Sequence, residues 1–136
     1  KIADIKLIIG GRSMGGRIAS HVAAQGAAVD AVALFATLST HRGTKLSAGQ
    51  HLPQIASPAL FCSGTRDTFA TPEELAAAAA TVPRATVHPL EGADHGFAVL
   101  KSSGRTKEDV WSEATAFLLS WLETEVLDSG GAAHLR

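Results

Sequence analysis

Residues 5–16 read Ile5-Lys6-Leu7-Ile8-Ile9-Gly10-Gly11-Arg12-Ser13-Met14-Gly15-Gly16, and the fold is decided here. The run Ile5–Ile9 is apolar and β-branched, which predicts a buried strand stopped by Gly10 and Gly11. Met14 to about Gln25 suits a helix, with Ile18, Ala19, Val22 and Ala23 on its core face and Gly26 as the stop. Between the two lies Gly11-Arg12-Ser13-Met14-Gly15, a G-x-S-x-G pentapeptide. With Gly and Ser each near about 7% of residues, one arises by chance in roughly one such chain in twenty. Its position, where a strand gives way to a helix, is what makes it informative.

A serine in that setting occupies a strained turn, and its neighbours must lack side chains that would clash with strand or helix. Gly11, Gly15 and Gly16 are expected to supply that clearance. The turn lifts the Ser13 hydroxyl above the sheet, where the Met14 backbone N–H can face a developing oxyanion. The competing reading is a glycine-rich turn cradling a phosphate at a helix N-terminus. Neither a Walker lysine nor the G-x-G-x-x-G order accompanies it.

Working outward, Ala31–Phe35 is a second strand and Thr37–Gln50 a long polar loop of the kind that is more often functional than idle. Ala59–Cys62, bracketed by Pro58 and Gly64, is a third strand. Thr71-Pro72-Glu73-Glu74 starts a helix with an N-cap, a proline at the first position and a capping-box glutamate. That Ala-rich helix runs to about Thr81, and Pro83 follows it. Ala85–Pro89 is a fourth strand. Thr106 then caps a final helix whose core face carries Val110, Ala114, Phe117, Leu118, Trp121 and Leu122. Residues 1–127 form one domain on this reading, and 128–136 a flexible tail. Strands separated by helices imply right-handed crossovers, a mostly parallel sheet and helices on both faces. Such α/β sheets place their chemistry just beyond the strand C-termini.

Three places qualify. Ser13 follows the first strand. Asp67, in Gly64-Thr65-Arg66-Asp67, follows the third and can orient a histidine and stabilise its imidazolium. His95, in Asp94-His95-Gly96, follows the fourth, with a small neighbour that leaves room to reach the serine. A turn aspartate and a surface histidine are the bland readings of the last two. The order Ser, Asp, His, each after its own strand, is that of the α/β-hydrolase fold. Asp94 competes with Asp67 as the acid, but adjacent side chains diverge in extended structure, which favours Asp67. Arg12 and Arg66 flank these positions, and a surface ion pair is expected for each ahead of a role with an acidic substrate. Cys62 reads as a small core residue. His21, His41, His51, His88 and His134 read mostly as surface histidines, and a metal set of His41, His51 and Asp94 is the weaker reading.

Composition sets outer bounds. The chain has 136 residues, 46% hydrophobic and 18% charged, with a formal net charge of −1. Length allows one core, and the balanced charge argues against nucleic acid or an acidic membrane as partner. A lone cysteine makes no internal disulfide. No apolar run approaches the ~20 residues of a membrane span. A strand almost at residue 1 leaves no place for a signal peptide, so a cytoplasmic location is expected. Opening on Lys1 directly into a strand is expected of a piece of a larger fold.

Three stretches carry a family resemblance: LIIGGRSMGGRIASHVA (7–23), LFCSGTRDTFATPEEL (60–75, with His51-Leu52-Pro53 ahead of it) and LEGADHGF (90–97). They resemble the testis-expressed hydrolase-like branch of the α/β-hydrolases. The hydrolase-like domain of the third subunit of the nonspecific-lethal chromatin complex belongs with it, and dienelactone-hydrolase-like proteins are the nearest broader relatives. The resemblance makes Ser13 the nucleophile, Asp67 the acid and His95 the base. It also implies that this chain is the C-terminal portion of the fold, without the strands before the elbow and the loop that gives a second oxyanion donor. Thr37–Gln50 departs from the family, whose members carry an aromatic, proline-rich stretch there.

The expected activity is a serine hydrolase acting on small esters or thioesters, with no metal or organic cofactor. A non-catalytic scaffold or regulatory module on the same fold, or an inactive fragment, is the alternative. The expected partners are a small ester-like substrate and, at the bare Ile5–Ile9 edge, either the missing N-terminal half or a second copy.

Overall fold

A computed structural model describes residues 5–37 and 50–127. The expectations for Thr37–Gln50 and for the tail from 128 fall almost wholly outside the described residues.

The elements are strand β1 (Ile8–Arg12), helix α1 (Met14–Ala24), strand β2 (Ala31–Phe35), a 3₁₀ turn (Leu52–Gln54), strand β3 (Ala59–Gly64), helix α2 (Pro72–Ala79), strand β4 (Ala85–Leu90), a second 3₁₀ turn (Lys101–Ser103) and helix α3 (Lys107–Leu122), which runs into a π-helical turn (Glu123–Leu127). The sheet has the order β1-β2-β3-β4, and all three pairings are parallel. Alternation of side chains along each strand divides the core in two. Ala31, Ala33, Leu60 and Cys62 face α3 through Val110, Ala114 and Trp121. Val32, Leu34, Ala59 and Phe61 face α1 and α2 through Ala19, Ala23, Leu75 and Ala79. Burial holds the Cys62 thiol up at about 12, with Glu113 adding to the effect, as suits a core residue.

Both capping expectations hold in detail. The Thr71 hydroxyl accepts from the Glu74 N–H while the Glu74 carboxylate accepts from Thr71 N–H, closing the box on α2. Thr106 does the same for α3, with Asp109 in the reciprocal role.

Two local expectations are corrected. The first strand is Ile8–Arg12, not Ile5–Ile9, so Gly10 and Gly11 lie inside it rather than ending it. Pairing sets this register: Ile8 lies beside Ala31 and Arg12 beside Phe35, and a Cβ at Gly10 would sit 2.6 Å from the Ala33 carbonyl oxygen. Glycine is in the strand for closeness rather than as a stop. On α1, Ala19 and Ala23 are buried with Gly16 and Ser20, whereas Ile18 and Val22 are exposed. Four-residue spacing puts Ile18 and Val22 on one flank of the helix with Met14.

Candidate active site

Ser13 joins β1 to α1 at φ 53° and ψ −116°, a conformation L-residues rarely adopt and one that surrounding structure must enforce. The enforcement is visible. Ser13 N–H donates to the Phe35 carbonyl at 2.8 Å, and its own carbonyl accepts from Arg17 N–H at 3.0 Å. A Cβ at Gly11 would overlap the Gly15 carbonyl carbon, and one at Gly16 would overlap the Thr37 hydroxyl. Those two glycines provide clearance. Gly15 does not, because a Cβ there would meet open space; it is the Gly15 backbone that Gly11 makes room for. Met14 is the first helical residue, so its N–H has no partner within the helix and lies next to the serine.

Asp67 follows β3 in a tight turn and is 1% exposed. Its Oδ1 accepts from the N–H groups of Phe69 (2.8 Å) and Ala70 (3.0 Å), which leaves Oδ2 for His95. The loop after β3 and the loop after β4 touch at backbone distance: Arg66 N–H donates to the Ala93 carbonyl, and a Cβ at Gly64 would overlap that same oxygen. Asp94 is occupied in shaping its own loop. Its Oδ1 accepts from the N–H groups of Gly96 and Ala98, both at 2.9 Å. The loop is anchored by Phe97, fully buried at φ 68°.

These loops bring the three residues together. His95 Nδ1–H donates to Asp67 Oδ2 at 2.8 Å, and the Ser13 hydroxyl donates to His95 Nε2 at 3.1 Å. A carboxylate at Nδ1 can only accept, so the ring carries its proton there and presents the Nε2 lone pair to the serine. The Phe69 ring lies 5.0 Å from the imidazole and tilted to it, limiting its swing.

Other expectations fare differently. Among the described residues neither Arg12 nor Arg66 forms an ion pair. Arg66 donates to the Gly92 carbonyl at 3.1 Å and Arg12 to the His95 carbonyl at 3.2 Å. Both acceptors are backbone carbonyls, which residue type does not reveal. His88 and His51 are more than surface histidines. His88 donates to Glu113 at 2.7 Å, and Arg105 holds the other oxygen of that carboxylate at 2.6 Å. Burial pushes the Glu113 carboxyl up, but the hydrogen bonds from His88 and Arg105, with their charge, outweigh it and hold the group below its ordinary value.

His51 stacks on His21 with ring centres 3.6 Å apart and lies 2.6 Å from the buried Ser20 hydroxyl. Ser20 donates its own proton to the Arg17 carbonyl at 2.6 Å. His51 is therefore the donor of that pair, the reverse of the relation between His95 and Ser13. Burial, helped by His21 and Arg17, pushes His51 down to about 4. Among the described residues no cluster of His, Cys, Asp or Glu could hold a metal ion, and His41 of the weaker metal reading lies outside them. No described helix is long and apolar enough to cross a membrane.

A parallel sheet with a strained serine elbow and a hydrogen-bonded Ser–His–Asp line defines a class, and comparison names it. The family model described as "Alpha/beta hydrolase domain" matches residues 1–123, and this chain belongs to that family. Solved structures agree in fold. An alpha/beta hydrolase enzyme from the metagenome of lagoon sediments (Mar Chica, Morocco) superposes with a TM-score of 0.67 at 17% identity, over 87% of this chain and 61% of its own. The esterase domain of a Rhodothermus marinus protein gives 0.65 at 17%, over 85% and 58%. A monoacylglycerol lipase from Paleococcus ferrophilus gives 0.65 at 15%, over 86% and 68%. The chain thus spans about three-fifths of the length of the first two. Among the curated proteins nothing matches.

Proposed function

We propose that this chain carries the nucleophile, base and acid of a serine hydrolase that cleaves small carboxylic esters or thioesters. The unbroken hydrogen-bonded line from Ser13 through His95 to Asp67, at 3.1 and 2.8 Å, carries the reading. In the first half-reaction Ser13 Oγ attacks the carbonyl carbon while His95 Nε2 takes its proton, and Asp67 stabilises the imidazolium. The Met14 N–H donates to the oxyanion. Collapse expels the leaving group, which takes the proton from Nε2 and leaves an acyl-serine. Water, deprotonated by His95, then repeats the sequence and frees the acid. No metal or organic cofactor takes part.

Support for ester chemistry comes from the esterase and lipase named among the structural neighbours and from the resemblance to the testis-expressed and dienelactone-hydrolase-like proteins. At the edge of β1, which pairs only with β2 among the described residues, we place a partner, either further strands of such a fold or a second copy. Leu7 and Ile8 are exposed there, Ile18 and Val22 are exposed on the neighbouring α1, and a groove of about 360 Å³ runs between β1 and α3 past Trp111 and Leu118.

The test is covalent labelling with a fluorophosphonate, read by intact mass, beside Ser13→Ala. One adduct that Ser13→Ala abolishes is the expected result. An adduct that persists in Ser13→Ala, or none on a folded protein completed at its β1 edge, refutes the proposal.

A further inference from the structure

Arg12 is joined to the base from the nucleophile's own strand. Its Nη2–H donates to the His95 carbonyl at 3.2 Å. The guanidinium carbon lies 5.6 Å from the centre of the Phe97 ring and 5.9 Å from that of Trp111. Those two rings pack on each other at 4.9 Å and 59°. The guanidinium thus contacts two aromatic rings, one in the loop that carries His95 and one on α3, an arrangement that favours a cation. It has no carboxylate partner among the described residues. A Cβ at Gly96 would lie 3.6 Å from the same guanidinium nitrogen, an ordinary van der Waals distance, so the guanidinium packs close against the residue after His95.

The consequence is geometric. Asp67 grips the His95 ring from the β3 side, through Nδ1. Nothing in that contact fixes the distance from Nε2 back to Ser13, because Asp67 and Ser13 follow strands β3 and β1, which are separated by β2. Arg12 precedes Ser13 directly, so a bond from its side chain to the His95 backbone links the serine's own strand to the loop that carries the base. We infer that Arg12 is a positioning residue that sets the Ser13–His95 separation. Lysine can reproduce one donor but not the planar fork that both stacks and donates. This rests on the serine-hydrolase reading above.

The experiment measures fluorophosphonate labelling at increasing reagent, separating the maximal rate from reagent affinity, with melting temperature alongside. Arg12→Met should lower the maximal rate by about 10- to 100-fold, the scale of a misplacement near 1 Å, and leave reagent affinity within about twofold. Arg12→Lys should fall between the two and melt with Arg12→Met, so that rate and stability part company. Trp111→Leu, at an exposed position, removes one aromatic wall and should lower the rate by a smaller factor even if Arg12→Met folds poorly. Wild-type rates in both Arg12→Met and Trp111→Leu overturn the inference. So does a loss confined to reagent affinity, or one that tracks the melting temperature across all variants. If the wild-type protein, folded and completed at its β1 edge, is unlabelled, or Ser13→Ala still labels, the hydrolase reading fails and this inference with it. Normal Ser13 labelling with indifferent Arg12 variants removes this inference alone.

Discussion

Replacing Asp67 by asparagine changes one atom and should silence the site while leaving the fold standing. Asp67 has a fully buried side chain and three donors around it: Phe69 N–H at 2.8 Å, Ala70 N–H at 3.0 Å and His95 Nδ1–H at 2.8 Å. In Asp67→Asn the amide oxygen keeps the two backbone N–H groups, so the NH₂ turns toward His95. A donor there forces the ring to accept at Nδ1 and to carry its proton on Nε2. The lone pair that should take the Ser13 proton is then gone. The same inversion in a Ser-His-Asp site costs about 10⁴-fold in turnover. Stability falls by only about 1–3 kcal/mol, since the three hydrogen bonds lose their charge assistance but each group keeps a partner and no cavity opens. The assay is the fluorophosphonate labelling rate together with a thermal melt, beside Asp94→Asn. In that control the amide oxygen can still accept from Gly96 and Ala98 N–H, so labelling should stay within a fewfold of wild type. Asp67→Asn labelling within tenfold of wild type would refute the tautomer argument. An equal loss in Asp94→Asn would refute the choice between the two acids.

The elbow glycines should separate sharply. Gly11→Ala drives a methyl into the backbone of Gly15 and Gly16, which cannot rotate aside, and should cost about 1–3 kcal/mol as overpacking along with Ser13 labelling. Gly15→Ala points into open space on a helix and should be neutral or stabilising by up to about 1 kcal/mol; denaturant midpoints decide both. His51 has a folded-state value near 4, below its ordinary 6.5, so the folded protein resists a proton that the unfolded chain accepts. Its stabilising contribution is complete above about pH 6.5 and is lost as the pH falls toward 4. His51→Gln should flatten melting temperature against pH across that window and leave Ser13 labelling at pH 7.5 unchanged. An unaltered pH slope would count against that assignment.

Much of this protein is legible along the chain because the determinants are local. Both capping boxes, the strand–helix alternation and the glycines around Ser13 involve residues within a few positions of one another, so backbone sterics and hydrogen bonding write them into the sequence. The order Ser13, Asp67, His95 is equally a property of the chain. Where periodicity alone was followed, the reading slipped. The glycines of β1 look like a stop until Ala33 and Gly15 are seen packed against them, and α1 turns its alanines rather than Ile18 and Val22 to the core. Adjacency to His95 already counted against Asp94, but only the tertiary structure brings the Asp67 carboxylate to the base, because that depends on the loops after β3 and β4 meeting at Gly64 and Ala93. It also decided what Arg12 and His51 touch. Backbone carbonyls and stacked rings are partners fixed by three-dimensional packing, and no residue type announces them.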